Sequence, residues 1–192
     1  MLPEEERKRV VVAMSGGVDS SVAAALLKAD GYEVIGITLR QWTLEYNDNA
    51  PPSQRSCCSA EAIDDARRVC EVLDIPFYVL NYEGAFQSAV VDYFCREYER
   101  GRTPNPCLMC NRYLRFTLLL EQALALGCDY LATGHYARVV RTDGSYHLYK
   151  GLDADKDQSY VLYSLGQRQL PHLLLPLGEY RKAEVRALAS DM

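Results

Sequence analysis

Apolar and polar positions along this chain follow two rhythms. Short aliphatic runs, Val10 to Met14, Glu33 to Leu39, Phe77 to Leu80 and Tyr130 to Thr133, read as buried strands. Between them lie segments with helical spacing. Val18 to Asp30 is rich in alanine and leucine and is closed by Gly31. After Ser59, a candidate cap, Ala62, Ile63, Ala66, Val69, Cys70 and Leu73 recur at helical intervals. Glu83 to Tyr98 turns Phe86, Ala89, Val90, Tyr93 and Phe94 inward, and Tyr113 to Leu126 forms a fourth helix. Strands alternating with helices predict an α/β class, a doubly wound parallel sheet with right-handed crossovers. After Arg138 the rhythm changes. Arg138 to Arg141 and His147 to Lys150 flank Asp143-Gly144, a hairpin signal, and short helical stretches follow near Ser159 to Leu165 and Lys182 to Ala189. Two segments escape both rhythms. Gln41 to Ser56 is polar, contains Pro51-Pro52, and is expected to be a mobile loop. Gly101 to Asn111 is expected to be a loop made rigid by two prolines.

A length of 192 residues suits one such domain, which would bury roughly two-thirds of its unfolded surface. The net charge of −5 excludes a global electrostatic footprint for nucleic acid. A local one remains: Arg96, Arg100, Arg102, Arg112 and Arg115 stand against only Glu97 and Glu99. No apolar segment is long enough to span a bilayer, and Met1-Leu2-Pro3-Glu4-Glu5-Glu6 lacks a signal pattern, so a cytoplasmic protein with no membrane partner is expected. Seven cysteines in a reducing compartment then argue for metal or catalytic use rather than a disulfide framework.

The strongest chemical signal is Ala13-Met14-Ser15-Gly16-Gly17-Val18-Asp19-Ser20-Ser21, placed between the first strand and the first helix. Adjacent glycines let backbone N–H groups close on a ligand, the helix adds its positive end, and three hydroxyls lie nearby. That combination is an anion site. It lacks the lysine of a Walker A loop. Asp19 would repel a phosphate unless a cation bridged them, which implies Mg²⁺.

The second signal is Cys107-Leu108-Met109-Cys110 in the proline loop, just before a predicted helix whose N-terminus would favour a thiolate. Reactive sulfur, zinc and a cluster ligand are all compatible with the pair, although a closed zinc site needs four ligands and only one such pair exists. Cys70, Cys95 and Cys128 read as core packing, and Cys57-Cys58 end the polar loop. Thr133-Gly134-His135-Tyr136 follows the fourth strand at the same sheet edge as the glycine turn. Gly134 would let a purine approach the backbone; His135 reads first as a hydrogen-bonded structural residue and second as a catalytic one. In Lys156-Asp157-Gln158-Ser159, helix capping and solvation account for the polar residues without any function.

Ser-Gly-Gly-Val-Asp-Ser at 15–20 resembles the pyrophosphate loop of the N-type ATP pyrophosphatases. Behind it come, in order, Gly-Arg-Thr-Pro-Asn-Pro-Cys-Leu-Met-Cys-Asn at 101–111, Ala-Thr-Gly-His-Tyr-Ala-Arg at 132–138 and Lys-Asp-Gln-Ser-Tyr at 156–160. Together they resemble the tRNA-specific 2-thiouridylases (the MnmA/TrmU family) over nearly the whole chain. The resemblance implies one catalytic domain over 1–192, adenine-nucleotide α-hydrolase-like, acting in ATP-dependent 2-thiolation of the wobble uridine of tRNA. It implies ATP contacts from Ala13, Met14, Ser15, Gly16, Gly17, Val18, Asp19 and Ser20, and from Leu39 and Gly134. Target-base contacts would come from Asn105, Pro106 and Cys107, and further tRNA contacts from Lys156, Asp157 and Gln158. Cys110 matches the nucleophile, with Asp19 and Cys107 beside it in the catalytic set. A [4Fe-4S] cluster held by Cys107, Cys110 and a third ligand is implied for members with this cysteine pair, as are Mg²⁺ and a persulfide sulfur donor or relay protein. Ala13 replaces a common glycine, Leu39 a common methionine, and Cys107 an aspartate found in some members. The family's second catalytic cysteine and later domains lie beyond the helix ending near Ala189, so an isolated catalytic domain is expected. The alternatives are another ATP pyrophosphatase that modifies tRNA, or a fragment that binds ATP, tRNA or a cluster without turnover.

Overall fold

β1 (Arg9–Ala13) carries valines in succession, and in the computed structural model, which describes residues 7–41 and 60–192, both of its faces are covered. Val10 and Val12 point to one side and Val11 to the other, as the two-residue period of a strand demands. β2 (Glu33–Arg40) and β4 (Tyr130–Ala132) flank β1, both parallel to it, with Val11 opposite Ile35 on one side and Leu131 on the other. β3 (Phe77–Asn81) continues the sheet outward from β2. A hairpin of β5 (Ala137–Thr142) and β6 (Ser145–Lys150) stands apart, turning through Asp143 and Gly144, both at positive φ as a two-residue turn requires. β7 (Leu173–Leu174) then pairs in parallel with β4 and completes the order β3-β2-β1-β4-β7.

Helices cover the sheet from both sides, as a doubly wound fold requires. α1 (Val18–Ala29) and α2 (Ala60–Val72) pack Ala24, Leu27, Ala66 and Cys70 onto Val10 and Val12. On the opposite face, a continuous helix over 83–99 (α3) brings Val90, and another over 106–125 (α4) brings Leu114, Phe116 and Leu119, against Val11, Ile35 and Ile37. Each fully buried aliphatic or aromatic side chain contributes about 1.5–3 kcal/mol. α5 (Lys182–Ser190) lies beside α1, where Val185 meets Val22 and Ala23. Among the described residues no helix is long and apolar enough to cross a membrane.

Two expectations change. Cys70 and Cys128 are buried, but Cys95 is exposed on the outside of α3. The residues 87–91 form a widened, π-type turn, which rotates everything after it relative to an uninterrupted α-helix. Cys95, five positions after the buried Val90, faces solvent, and Glu97 is nearly buried, bridging Arg100 and Arg102 at 3.1 Å each. Gly101 to Asn111 is not one loop. The loop ends at Asn105, whose side chain caps a helix beginning with Pro106 in the position where a missing N–H costs nothing. The predicted mobile loop, with Cys57 and Cys58 and the Ser59 cap, lies outside the described residues.

Candidate active site

β1 and β4 are neighbours whose following segments leave in opposite directions, so a crevice opens at their carboxyl ends, the switch point at which such sheets take ligands. Ala13, Met14 and Ser15 line it from the end of β1, Ile37, Leu39 and Gln41 from β2, and Thr133, Gly134 and His135 from β4. Asp19 and Ser20 come from α1, Arg115 from α4, and Gln158 from the segment after the hairpin. Of the residues expected at a nucleotide, Ala13, Met14, Ser15, Asp19, Ser20, Leu39 and Gly134 thus share one cleft. Gly16, Gly17 and Val18 form the turn at its rim, with Val18 largely exposed. The inner wall is apolar and the turn side polar, a division that suits a flat base and an anionic tail.

The turn depends on Gly16. Its φ is +71°, and a Cβ there would sit 2.3 Å from the Ala62 carbonyl oxygen of α2. Gly17 is extended, with φ −90° and ψ 160°, and its nearest neighbour to a built Cβ is the Ser15 hydroxyl at 3.5 Å. The hydroxyls are not all aimed at the cleft. Ser20 and Ser21 each donate to the Gly17 carbonyl at 3.0 Å, and the Ser15 N–H donates to the Ser20 hydroxyl at 3.2 Å. All three serines therefore hold the turn, since the Ser15 hydroxyl lies 3.2 Å from the Ser20 hydroxyl and accepts from the Gly17 N–H at 3.4 Å, and the first N–H groups of α1 are what remain for a ligand. Among the described residues no side chain caps α1, so its first N–H groups keep their capacity to bind an anion. Gly134 is packed for a different reason than expected: a Cβ would lie 2.8 Å from the Asp19 carbonyl carbon and 2.9 Å from the Ser20 nitrogen. Its bareness lets the β4 end close onto the first turn of α1.

Asp19 is held from two sides. The Lys182 ammonium donates to both carboxylate oxygens, at 2.6 and 2.8 Å, and the Tyr136 hydroxyl donates to Oδ1 at 2.8 Å. Burial, and then the hydrogen bond to Asp19, push the Tyr136 hydroxyl well above its ordinary value, so it remains a donor. The cation that Asp19 was expected to need is thus supplied by the chain itself in this state. Sequence reasoning missed Lys182 because it stands 163 positions from Asp19 at the start of an unremarkable helix.

The far side of the cleft carries Arg115, His135 and Gln158. His135 Nδ1 lies 2.7 Å from the Thr133 hydroxyl. Burial and the Arg115 charge bring its pKa down to about 3, which keeps the ring neutral and agrees with the structural reading. Gln158 is tied to the β4–β5 junction: its Oε1 accepts from the Tyr136 N–H at 3.1 Å, and its own N–H donates to the Tyr136 carbonyl at 2.9 Å. Asp157, by contrast, accepts from the Gly151 N–H and from the Ser159 N–H and hydroxyl, which organises the loop, and Lys156 is exposed.

Cys107 and Cys110 sit on α4 rather than ahead of it. Cys107 is exposed in the first turn, at the helix's positive end, and Cys110 is buried one turn on. The Gln41 side-chain amide, which lines the cleft, donates to Cys110 Sγ at 3.3 Å. The structure therefore brings Cys110 to the edge of the cleft, behind Gln41, and leaves Cys107 outside. Asn105 and Pro106 flank Cys107, the asparagine oxygen being used by the helix cap. No group of three or more His, Cys, Asp or Glu side chains suited to a metal exists among the described residues, so the pair alone does not make a cluster site. The arginine cluster is also less uniform than its spacing suggests: Arg100 and Arg102 pair with Glu97, Arg112 lies over the Tyr113 ring at 5.3 Å, and Arg115 faces the cleft.

Residues 8–192 match the family model described as the tRNA methyl transferase HUP domain. Curated relatives named tRNA-specific 2-thiouridylase MnmA include those of Carboxydothermus hydrogenoformans, 58% identical over 185 residues, and Moorella thermoacetica, 57% identical over 182. They are covered over 95% and 94% of this chain but only 50% of their own length, so the chain spans about half of the relatives it matches. The U34-tRNA thiolase NcsA of Methanococcus maripaludis, solved with its [4Fe-4S] cluster, has a similar fold at a TM-score of 0.57 and 22% identity, over 96% of this chain and 57% of that one. The predicted tRNA methyltransferase subunit of Methanocaldococcus jannaschii is similar at a TM-score of 0.56 and 21% identity, over 95% of this chain and 74% of that one. Both show the fold.

Proposed function

Because the chain belongs to the tRNA methyl transferase HUP-domain family, with tRNA-specific 2-thiouridylases as its curated relatives, we propose that it is the ATP-using catalytic half of such an enzyme, acting on the wobble uridine of tRNA in the cytoplasm. The observation that carries this reading is the order of chemistry along one cleft. An apolar wall for adenine lies at Ile37 and Leu39, an anion turn at 15–20, and a buried thiol, Cys110, accepts from Gln41 at the edge of the cleft. The uridine C2 oxygen attacks the α-phosphate of ATP and releases pyrophosphate. The N–H groups of the glycine turn receive the charge that develops on the leaving group, in a site shaped before the reaction begins. Asp19 is the residue that would hold Mg²⁺ arriving with ATP, and that ion would neutralise further phosphate charge. Sulfur then forms a bond to C2 as the C2–O bond to AMP breaks. The sulfur is the outer atom of a donor's persulfide; its S–S bond breaks as the Cys110 thiolate takes the inner sulfur, leaving a disulfide between Cys110 and the donor and C2=S on the base.

The base must leave its stack to reach the cleft. Asn105, Pro106 and Cys107, on the capped start of α4, are the residues proposed to meet it, with Gln158 and Lys156 contacting the tRNA beyond. The described residues supply two thiols for a cluster and not three, so no step here runs through one. The reading is tested by pyrophosphate release in the presence of ATP, Mg²⁺ and tRNA. Asp19→Ala is expected to abolish it. In the intact enzyme, Cys110→Ser is expected to abolish formation of 2-thiouridine while leaving pyrophosphate release in place. Release that is independent of tRNA, or thiolation by Cys110→Ser protein, would refute it.

A further inference from the structure

The contact between Lys182 and Asp19 is the feature of the cleft that the glycine turn does not account for. The two side chains come from opposite ends of the chain and meet at the cleft wall, with exposures of 21% and 35%. Lys182 is fixed at its backbone. Its N–H donates to the Asp153 carboxylate at 2.8 Å, and the preceding Arg181 N–H donates to Glu184 at 2.6 Å. Only the side chain is free to move. Asp19 has a second donor in Tyr136, so it keeps one partner if the ammonium leaves. A carboxylate standing in the wall of an anion site opposes the anion through space, at roughly 4 kcal/mol for unit charges 4 Å apart near a surface. An ammonium already bound to that carboxylate removes the opposition, and Asp19 itself lines the cleft.

We propose that Lys182 is a positioning residue of the phosphate site, which clamps Asp19 in the ligand-free protein and trades that carboxylate for the β- and γ-phosphates when ATP enters. The exchange swaps one anionic partner for another, so the ammonium is never left unpaired in a partly buried place. It also frees Asp19 at the moment a nucleotide arrives. The trade explains why a lysine was placed here rather than an arginine: a flexible stem carries a point charge between two partners, whereas a guanidinium would fix the fork on the carboxylate.

The proposal rests on the cleft being an ATP site, and the experiment separates the two ideas. MgATP and AMP are titrated into the protein and into its Lys182→Met and Lys182→Arg variants by calorimetry, with thermal melting of each ligand-free protein. Lys182→Met is expected to weaken MgATP at least tenfold and to leave AMP within about twofold, because AMP lacks the phosphates the ammonium reaches. Lys182→Arg should keep the melting temperature of the unaltered protein yet still weaken MgATP, because its fork stays on the carboxylate. Equal weakening of MgATP and AMP, or a loss of both with a large fall in melting temperature, would mean that the pair only ties α5 to α1 and would overturn the proposal. Unchanged MgATP affinity in Lys182→Met would overturn it as well. Failure of the unaltered protein to bind either nucleotide would instead remove the ATP reading beneath it.

Discussion

Replacing Gly16 with alanine separates the two glycines of the turn. A methyl at position 16 meets two penalties. The backbone stands at φ +71°, where an L-residue costs roughly 1–2 kcal/mol, and the new carbon would lie 2.3 Å from the Ala62 carbonyl oxygen, which is backbone of α2 and cannot rotate away. Forcing an atom into such a contact typically costs about 1–3 kcal/mol after relaxation. Gly16→Ala is therefore expected to destabilise the protein by about 2–5 kcal/mol, a fall of roughly 4–20 °C in melting temperature for a domain of this size. Gly17→Ala is the internal control. Its backbone is extended and its nearest neighbour lies at 3.5 Å, so stability should stay within about 0.5 kcal/mol. The assay is thermal melting followed by circular dichroism, with urea denaturation to check that the slope is unchanged. Equal losses from the two substitutions, or a Gly16→Ala protein melting with the unaltered one, would show that the turn is not held by this contact.

The neutral His135 gives a pH signature. The unfolded chain protonates this histidine below about pH 6.5, whereas the folded protein resists until about 3, so stability should fall as pH drops through that window. Between pH 6.5 and 5.5 the loss should be about 1 kcal/mol by urea denaturation, and His135→Gln should remove it; an identical pH slope in the variant would refute the assignment. Cysteine accessibility gives a second check. Limited alkylation at pH 8, mapped by mass spectrometry, should modify Cys95 and Cys107 before Cys70 and Cys128, since Cys70 is fully buried and its thiol is pushed up to about 11 by burial. Early labelling of Cys70 would contradict the packing of α2 on the sheet. Cys70→Ser should cost about 1–3 kcal/mol by burying a hydroxyl among apolar side chains, measured by the same denaturation; a neutral effect would show that the hydroxyl finds a partner there.

The sequence by itself determined the alternation that makes the sheet, the position of the anion turn and the motifs that identify the family. These are local or periodic properties: Val10 to Val12 can be read as a buried strand without knowing what covers it, and an Asp-Gly pair at a hairpin turn carries its own backbone preference. It also held the start of α4 in plain view, since Asn105 before Pro106 is a cap followed by a first-turn proline. What it could not determine were contacts between distant segments. Lys182 meets Asp19, Gln41 meets Cys110, and Gly134 presses on the first turn of α1 only because the switch point of the sheet gathers those chain segments at one edge. Cys95 shows the same limit on a smaller scale. Its residue type suggests core packing, but its place on α3, five positions after the buried Val90, turns it to water. Periodicity fixes which residues can share a face; tertiary packing decides which faces meet, because the energy of that choice resides in partners far away along the chain.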